Sequence, residues 1–250
     1  MKKRIDVLLV EKGLAETRSK AQAYIMAGQV VADDVQIDKS GTMVDDSVAI
    51  AVKETFPYVS RGALKLEKAF HEFNLDFSGK TLCDIGSSTG GFSDFALQKG
   101  AAKVYAIDVG RGQLDQKIRE NPKVVVMEKT DFRSVTSCTG SHPVQSCLPE
   151  KIDYFLCDVS FISIKLILPH ILDLQPIDTK VIALIKPQFE AGAKDVSCGK
   201  GVIKSEQKRQ EIVESIKVFA QKLGYKIEGF VESPITGAKG NVEYLLNLTK

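Results

Sequence analysis

The chain has 250 residues, of which 44% are hydrophobic and 26% are charged. This composition is typical of a globular protein and excludes a collagen-like, low-complexity or disordered chain. The 34 basic and 32 acidic side chains give a formal net charge of +2, so binding to nucleic acid has to be argued from local charge.

The N-terminus is basic, but its apolar run covers only residues 7–10 and is too short for a signal peptide. No stretch approaches the roughly 18 apolar residues that span a bilayer. We therefore expect a soluble, cytoplasmic protein without membrane contacts.

Residues 1–56 predict a small module of two helices and a few short strands. The helices are expected at residues 5–12 and 18–27; Thr17 caps the second and Gly28 ends it. The strands are expected at residues 29–32, 35–37 and 48–52, separated by turns rich in Asp, Ser and Gly.

The charges of this module are unevenly distributed. Residues 1–25 carry six basic and three acidic side chains, whereas residues 26–60 carry two basic and six acidic ones. A basic helical face on an acidic body is suited to a phosphate backbone, and we expect Arg4, Arg18 and Lys20 to contact phosphate. A solvated helix face with no partner is an equally good interpretation of the charges alone.

A linker at residues 56–59 leads into a second domain, residues 57–250, in which strands and helices alternate. The strands are expected at residues 81–85, 103–108, 123–127, 153–157, 180–185, 225–231 and 242–248. The helices are expected at residues 61–73, 91–99, 113–120, 162–174 and 205–223. This order predicts an α/β fold with a Rossmann-like, doubly wound and mostly parallel sheet. No helix separates the last two strands, so the final strand should be antiparallel.

The chain contains five cysteines, an odd number, and no Cys-x-x-Cys pair. Cys83 and Cys157 lie in apolar runs, which is typical of buried thiols. The pattern disfavours a disulfide scaffold and a zinc module and favours a reducing compartment. The three histidines are far apart in sequence, so we expect no metal site.

A glycine-rich loop follows the first strand of the second domain, in the sequence DIGSSTGGF from Asp84 to Phe92. Its small residues allow the backbone to approach a ligand, and the next helix directs its amide groups at the loop. The carboxylate of Asp84 before the glycines is unfavourable for a pyrophosphate and favourable for a cation. This favours S-adenosylmethionine over NAD.

Two further acids follow the next two strands. Asp108 ends the second strand, where a carboxylate accepts the hydroxyls of an adenosine ribose. Asp131 follows the third strand and is placed to accept the exocyclic amine of adenine.

Polar side chains also end the fourth and fifth strands, Asp158 and Lys186. Each alone is most simply a strand-terminal charge, but together they place a lysine and a carboxylate side by side at the carboxyl edge of the sheet. Methyl transfer to a hydroxyl needs a base or a group that stabilises the developing alkoxide. Lys65, beside the apolar stripe of the first helix, and Glu243, within the start of the last strand, are further candidates because a buried carboxylate needs a cationic partner.

The loop at residues 190–204 is long, rich in glycine, and carries Lys194, Lys200 and Lys204. A loop of this length is usually functional or disordered. One interpretation is a lid that holds a phosphate backbone through its lysines; the other is a surface connection without a role.

At these motifs the chain resembles a known family. The runs SRGALKL, DIGSSTGGF, CDVSFIS, ALIKPQFE and SPITGAKGNVEYLL resemble the bacterial TlyA family of ribosomal RNA 2′-O-methyltransferases, whose catalytic domain is like that of FtsJ. The resemblance covers essentially the whole chain. It implies methylation of ribose in ribosomal RNA, at cytidine, and a catalytic tetrad of Lys65, Asp158, Lys186 and Glu243. The expected contacts to S-adenosylmethionine are then Asp84, Gly86, Ser87, Gly90, Gly91, Phe92, Asp108, Asp131 and Asp158.

The N-terminal module resembles the small RNA-binding domain shared by a small-subunit ribosomal protein, bacterial tyrosyl-tRNA synthetases and many pseudouridine synthases. The run Arg18-Ser19-Lys20 matches the helix that contacts RNA phosphate there, which adds Ser19 to the expected RNA contacts. The implied partners are ribosomal RNA or ribosomal subunits, with no obligate protein partner. Family members are often labelled hemolysins, so a cytolysin is a second functional class, and a catalytically inactive RNA-binding protein is a third.

Overall fold

The protein folds into two compact units, Met1–Pro57 and Tyr58–Lys250, in a computed structural model. The structure describes residues 2–26, 28–52, 56–138, 147–175, 177–191, 201–237 and 239–250. No helix in this described part of the chain is long and apolar enough to cross a membrane.

The N-terminal unit packs two helices on short strands. Its elements are β1 (Lys2–Arg4), α1 (Ile5–Glu11), α2 (Arg18–Met26), β2 (Val30–Ala32), β3 (Val35–Ile37), β4 (Met43–Asp45) and β5 (Ile50–Val52). Strand β2 pairs antiparallel with β3 and β5, and β1 pairs antiparallel with β4. As expected, Thr17 caps α2, because its Oγ1 accepts a hydrogen bond from the amide of Lys20 at 3.2 Å.

The β1 and β4 pair was not expected from the sequence. Its side chains alternate between exposed and half-buried, so their apolar pattern is too weak to indicate a strand. The core of this unit is formed by Ile5, Leu9, Ala21, Ile25 and Val30, which the two helices and β2 bury completely.

The second unit is a doubly wound sheet. The sheet has seven described strands: β6 (Thr81–Ile85), β7 (Lys103–Asp108), β8 (Val124–Glu128), β11 (Tyr154–Cys157), β12 (Lys180–Ile185), β13 (Lys226–Glu232) and β14 (Tyr244–Thr249). They lie in the order β13-β14-β12-β11-β6-β7-β8. The described strands β9 (Thr136–Ser137) and β10 (Cys147–Leu148) of the same unit pair only with each other. Strand β14 is antiparallel to both neighbours, β12 and β13, and the other described pairs are parallel. The predicted fold class, with its antiparallel final strand, is confirmed.

Both faces of this sheet are covered by helices. These are α3 (Ala63–Glu72), α4 (Gly91–Gln98), α5 (Gln116–Arg119), α6 (Leu168–Leu174), α7 (Pro187–Glu190) and α8 (Glu206–Lys222), with 3₁₀ turns at Phe132–Ser134 and Ile164–Leu166. Alternate strand residues face opposite layers: Leu82 packs on the side of α3 and α4, whereas Cys83 and Ile85 pack on the side of α6 and α8. Parallel strands that are buried on both faces are apolar at nearly every position, which explains the continuous apolar runs in this sequence.

Two predicted helices are shorter than expected. The segment 113–120 contains only Gln116–Arg119, because the carboxylate of Asp115 accepts the amide of Lys117 and begins the helix there. The segment 162–174 divides into a 3₁₀ turn and α6, because Pro169 has no amide hydrogen and stands in the first turn of a new helix.

The cysteine pattern disfavours a disulfide scaffold, and the structure contains one local disulfide among its described cysteines. Cys138 and Cys147 form a disulfide with their Cα atoms 5.2 Å apart, beside the short parallel pair β9 (Thr136–Ser137) and β10 (Cys147–Leu148). Cys83 and Cys157 are buried thiols, as expected. The bridge is local, joining residues nine positions apart, so it does not form the scaffold of the fold.

Candidate active site

The carboxyl ends of β6, β11 and β12 lie side by side, because the three strands are parallel neighbours. Asp158 directly follows β11, and Lys186 directly follows β12. Lys65 reaches the same edge from the first turn of α3, and Glu243 reaches it from the residue before β14. The fold therefore brings together four side chains that are up to 178 positions apart in the chain.

These four side chains form a continuous chain of ion pairs. The Nζ of Lys65 lies 2.7 Å from Oε2 of Glu243 and 3.5 Å from Oδ2 of Asp158. The Nζ of Lys186 lies 2.5 Å from Oδ1 of Asp158. Asp158 thus stands between the two lysines. We call these four residues the polar cluster.

The polar cluster is largely removed from solvent, since the side chains of Lys65, Lys186 and Glu243 are all less than 10% exposed. Burial alone would lower the pKa of Lys65, but the charges of Asp158 and Glu243 outweigh this effect and raise the pKa above its usual value. Lys65 therefore remains an ammonium group that forms ion pairs with two carboxylates.

Ser160 is a member of this site that the sequence reasoning missed. Its Oγ accepts a hydrogen bond from Nζ of Lys186 at 2.8 Å. A serine three residues beyond a strand is too common to be singled out by pattern. The only signal was its place in the run CDVSFIS, two residues after Asp158.

The glycine loop approaches this cluster closely. Gly86 has a φ of +83°, and a Cβ at this position would lie 2.7 Å from the carbonyl oxygen of Asp158. Gly90 has a φ of +92°, and a Cβ there would meet Leu114 at 2.9 Å. Both positions therefore require glycine, which explains two of the three glycines in DIGSSTGGF.

Asp84 is buried beneath the loop, with 1% of its surface exposed. Its Oδ2 accepts hydrogen bonds from the amide of Ser93 at 3.0 Å and from the Ser93 hydroxyl at 2.6 Å. Its Oδ1 has no hydrogen-bond partner among the described residues. Burial raises the pKa of Asp84 to about 7, although the Ser93 hydrogen bonds act in the opposite direction.

Two adjoining cavities open at this edge of the sheet. The smaller, of about 200 Å³, is lined by the polar cluster residues Lys65, Asp158 and Lys186 and by Asp84, Gly86, Ser87, Gly91, Phe92 and Ser160. The larger, of about 810 Å³, is lined by Gly86, Ile107, Asp108, Val109, Asp131, Phe132, Asp158 and Ile162. Gly86, Asp158 and Ser160 line both cavities, so the two form one continuous depression beside the polar cluster.

The two adenosine-binding candidates already have partners. Asp108 accepts the amides of Ser88 at 2.8 Å and Gly110 at 2.7 Å, one on each carboxylate oxygen. Asp131 forms an ion pair with Arg133 at 2.5 Å, and the hydrogen bonds from Arg133 hold the pKa of Asp131 below its usual value. Carboxylate oxygens accept more than one hydrogen bond, so a ligand remains possible at both.

Phe92 and Gly90, two of the expected cofactor contacts, lie mainly outside the two cavities. Phe92 lines the smaller cavity but packs mainly in the core beneath α4, where only 4% of its surface is exposed. Gly90 lines neither cavity and turns the chain into α4 instead. Ser87 and Gly91 do line the smaller cavity.

The expected RNA-binding residues fall into two groups. Arg4, Arg18, Ser19 and Lys20 are accessible on the N-terminal unit, and Arg4 and Arg18 both donate hydrogen bonds to Asp6. In the loop at 190–204, Lys194 and Lys200 lie outside the described residues, and Lys204 is exposed. The end of this loop is anchored, because Asn241 accepts the amide of Ile203 and donates to the carbonyl of Gly201.

A doubly wound sheet with an antiparallel last strand, a glycine loop after its first strand and acids at the following strand ends defines the fold of S-adenosylmethionine-dependent methyltransferases. Residues 58–250 match the FtsJ-like methyltransferase family, and residues 3–50 match the S4 domain. The chain belongs to the FtsJ-like methyltransferase family and carries an N-terminal S4 domain.

Whole-length relatives agree with this result. YqxC of Bacillus subtilis, named as an rRNA methyltransferase candidate, is 46% identical over 248 residues, which cover 99% of this chain and 85% of that protein. The 16S/23S rRNA (cytidine-2′-O)-methyltransferase TlyA of Mycobacterium tuberculosis is 39% identical, covering 97% of this chain and 88% of that protein. A solved structure of a hemolysin candidate from Streptococcus thermophilus is 41% identical with a TM-score of 0.72, covering 100% of this chain and 88% of that chain. The resemblance to the TlyA family is confirmed.

The protein is therefore an enzyme, a methyltransferase that uses S-adenosylmethionine. The residues at the two cavities fit this cofactor on their own chemistry. The unpartnered Oδ1 of Asp84 suits a cationic group, and the larger cavity offers the apolar walls and carboxylates that an adenosine requires.

Proposed function

We propose that the protein transfers a methyl group to the 2′-hydroxyl of a cytidine ribose in ribosomal RNA. The observation that carries this proposal is the polar cluster, of which Lys65, Asp158 and Lys186 line the smaller cavity and Asp158 lines both cavities. A ribose hydroxyl is a poor nucleophile until its proton is removed or its developing charge is stabilised, and lysines held by carboxylates supply these functions. The name of the M. tuberculosis relative supports the choice of ribosomal RNA and of cytidine.

Each residue of the polar cluster has a distinct role in this proposal. Lys186 accepts the hydroxyl proton when its amine is neutral, or stabilises the developing alkoxide when it is an ammonium group, in both cases through Nζ. Asp158 and Ser160 orient that Nζ, because both contact it within 2.8 Å. Lys65 and Glu243 hold Asp158 in place from the opposite side, since Lys65 contacts both carboxylates.

The remaining site residues position the methyl donor. When bound, S-adenosylmethionine supplies an electrophilic methyl group on its sulfonium. Asp84 is assigned to its cationic part, and Asp108 and Asp131 to the adenosine. The loop from Gly86 to Gly91 borders the smaller cavity, and a Cβ at Gly86 would collide with the carbonyl of Asp158.

The S4 domain and the loop at 190–204 are assigned to the RNA. Arg4, Arg18, Ser19 and Lys20 contact phosphate from the N-terminal unit, and Lys194, Lys200 and Lys204 do so from the loop. Because the proposed substrate is ribosomal RNA, we assign the protein to the cytoplasm, with ribosomal subunits as its partner.

Replacement of Lys186 tests the proposal. We expect Lys186→Ala to abolish methyl transfer to ribosomal RNA in a radioactive assay with tritiated S-adenosylmethionine, and to leave cofactor binding nearly unchanged by calorimetry. Lys180→Ala is a matched control, because Lys180 begins the same strand at the opposite edge of the sheet and is exposed. Turnover near wild type in Lys186→Ala would reject the assignment, and absence of transfer by the wild-type protein to any ribosomal RNA would reject the function.

A further inference from the structure

Asp6 is the most completely buried carboxylate among the described residues of the N-terminal unit, with none of its side chain exposed. It lies in the first turn of α1, where a carboxylate interacts favourably with the helix dipole. It is nevertheless surrounded by three surface residues of two elements: Arg4 at the end of β1, and Arg18 and Gln22 on one face of α2.

Its two oxygens accept four described hydrogen bonds. Arg4 donates through Nε to Oδ1 and through Nη2 to Oδ2, both at 3.0 Å. Arg18 donates through Nε, and Gln22 through its amide nitrogen, to Oδ2 at 2.9 Å. The hydrogen bonds from Arg4, with those from Gln22 and Arg18, outweigh burial and hold the pKa of Asp6 well below its usual value.

This arrangement leaves both arginines able to bind a second anion. The contacts to Asp6 use two of the five N–H groups of Arg4 and one of the five of Arg18. The two side chains remain 43% and 55% exposed. Because both donate to the same Oδ2, their nearest nitrogens lie within about 6 Å of each other. Arg4, Arg18 and Asp6 together retain a charge of +1.

We propose that Asp6 is a positioning residue that holds Arg4 and Arg18 together as a preformed clamp for RNA phosphate. The inference rests on the proposed RNA-binding role of the N-terminal unit. Two like-charged side chains repel each other and would otherwise spread into solvent. The buried carboxylate offsets that repulsion and fixes both guanidinium planes, so the phosphate does not have to order them on binding.

Asp6→Asn tests the proposal, because the loss of negative charge and the loss of positioning change the affinity for RNA in opposite directions. The substitution removes a negative charge, and charge alone would tighten RNA binding. Loss of the clamp weakens it, and we expect the affinity for ribosomal RNA to fall by about threefold to tenfold, with a shallower salt dependence. Glu11→Gln is the matched control: it removes a carboxylate from the exposed pair with Lys3 in the same unit, and should leave binding unchanged or tighter.

Two further arms separate positioning from a general loss of structure. Arg4→Lys keeps the charge but not the two-pronged contact, and should lose most of the affinity lost in Arg4→Ala. In an Arg4→Ala, Arg18→Ala background, Asp6→Asn should have no further effect. An equal loss in that background, or tighter binding by Asp6→Asn itself, would overturn the inference. Unchanged affinity for ribosomal RNA in Arg4→Ala and in the Arg4→Ala, Arg18→Ala double variant would instead reject the RNA-binding role of these arginines.

Discussion

Asp84 offers the sharpest test of the cofactor site, because the folded protein shifts the pKa of this carboxyl group to about 7. Its pKa is raised by burial from an ordinary value of 3.8 to about 7. The folded state therefore retains a proton that the unfolded state has released, and the free energy of unfolding falls as the pH rises from about 4 to about 7. A shift of about three units corresponds to a loss of about 4 kcal/mol.

Asp84→Asn removes this titration and leaves an oxygen to accept both hydrogen bonds from Ser93. The new amide group buries an N–H₂ where Oδ1 had no described partner, which costs about 1–3 kcal/mol. We therefore expect the variant to be more stable than wild type above pH 7 by about 1–3 kcal/mol, and to show no loss of stability between pH 4 and pH 7. Urea denaturation at several pH values measures both effects.

The same substitution should weaken cofactor binding. A cationic ligand group favours the ionised carboxylate, so the affinity of the wild type for S-adenosylmethionine should rise roughly fivefold between pH 6 and pH 7, where the ligand's own amino group stays protonated. In Asp84→Asn the affinity should be lower and independent of pH over this range, as measured by calorimetry.

Asp94→Asn provides the matched control. Asp94 is equally buried, but it accepts the amide of Val59 at 2.8 Å and pairs with Lys117 at 3.1 Å. Its replacement should destabilise the protein, because it removes a satisfied carboxylate. Parallel pH curves of stability for wild type and Asp84→Asn would refute the reasoning about Asp84.

Two further predictions concern the packing of the site. Lys65→Met should lower the free energy of unfolding by about 3–5 kcal/mol and abolish methyl transfer, because Glu243 is left buried without a cation. Adding Glu243→Gln should restore much of the stability but not the activity. Equal melting temperatures of Lys65→Met and wild type would contradict this prediction. Gly86→Ala should cost about 1–3 kcal/mol and reduce turnover, since its Cβ would collide with the carbonyl of Asp158. Gly79→Ala, which has a φ of +67° but open space around it, should show the smaller cost of the backbone conformation alone; a larger loss there than in Gly86→Ala would refute the steric argument.

Much of the catalytic unit follows from the sequence by itself. Continuous apolar runs separated by helical segments indicate parallel strands buried on both faces, and the missing helix before the last strand indicates its reversal. Because parallel strands end at one edge, residues such as Asp158 and Lys186 are predicted to lie together without knowledge of any contact. The glycine loop is equally local, since a positive φ at Gly86 is a property of the chain at that point.

Pairings between distant segments were decided only by the tertiary structure. The contact of Lys65 with Glu243 joins positions 178 residues apart, and no periodicity specifies which lysine meets which carboxylate. Ser160 and Asp6 were missed for the same reason, because a common residue type gains its role from the groups packed around it. The disulfide between Cys138 and Cys147 likewise depends on two short strands that sequence patterns do not indicate. The succession of helices and strands along the chain and the periodicity of their side chains are local properties of the sequence. Hydrogen-bond partners and burial depend instead on the packing of the whole fold.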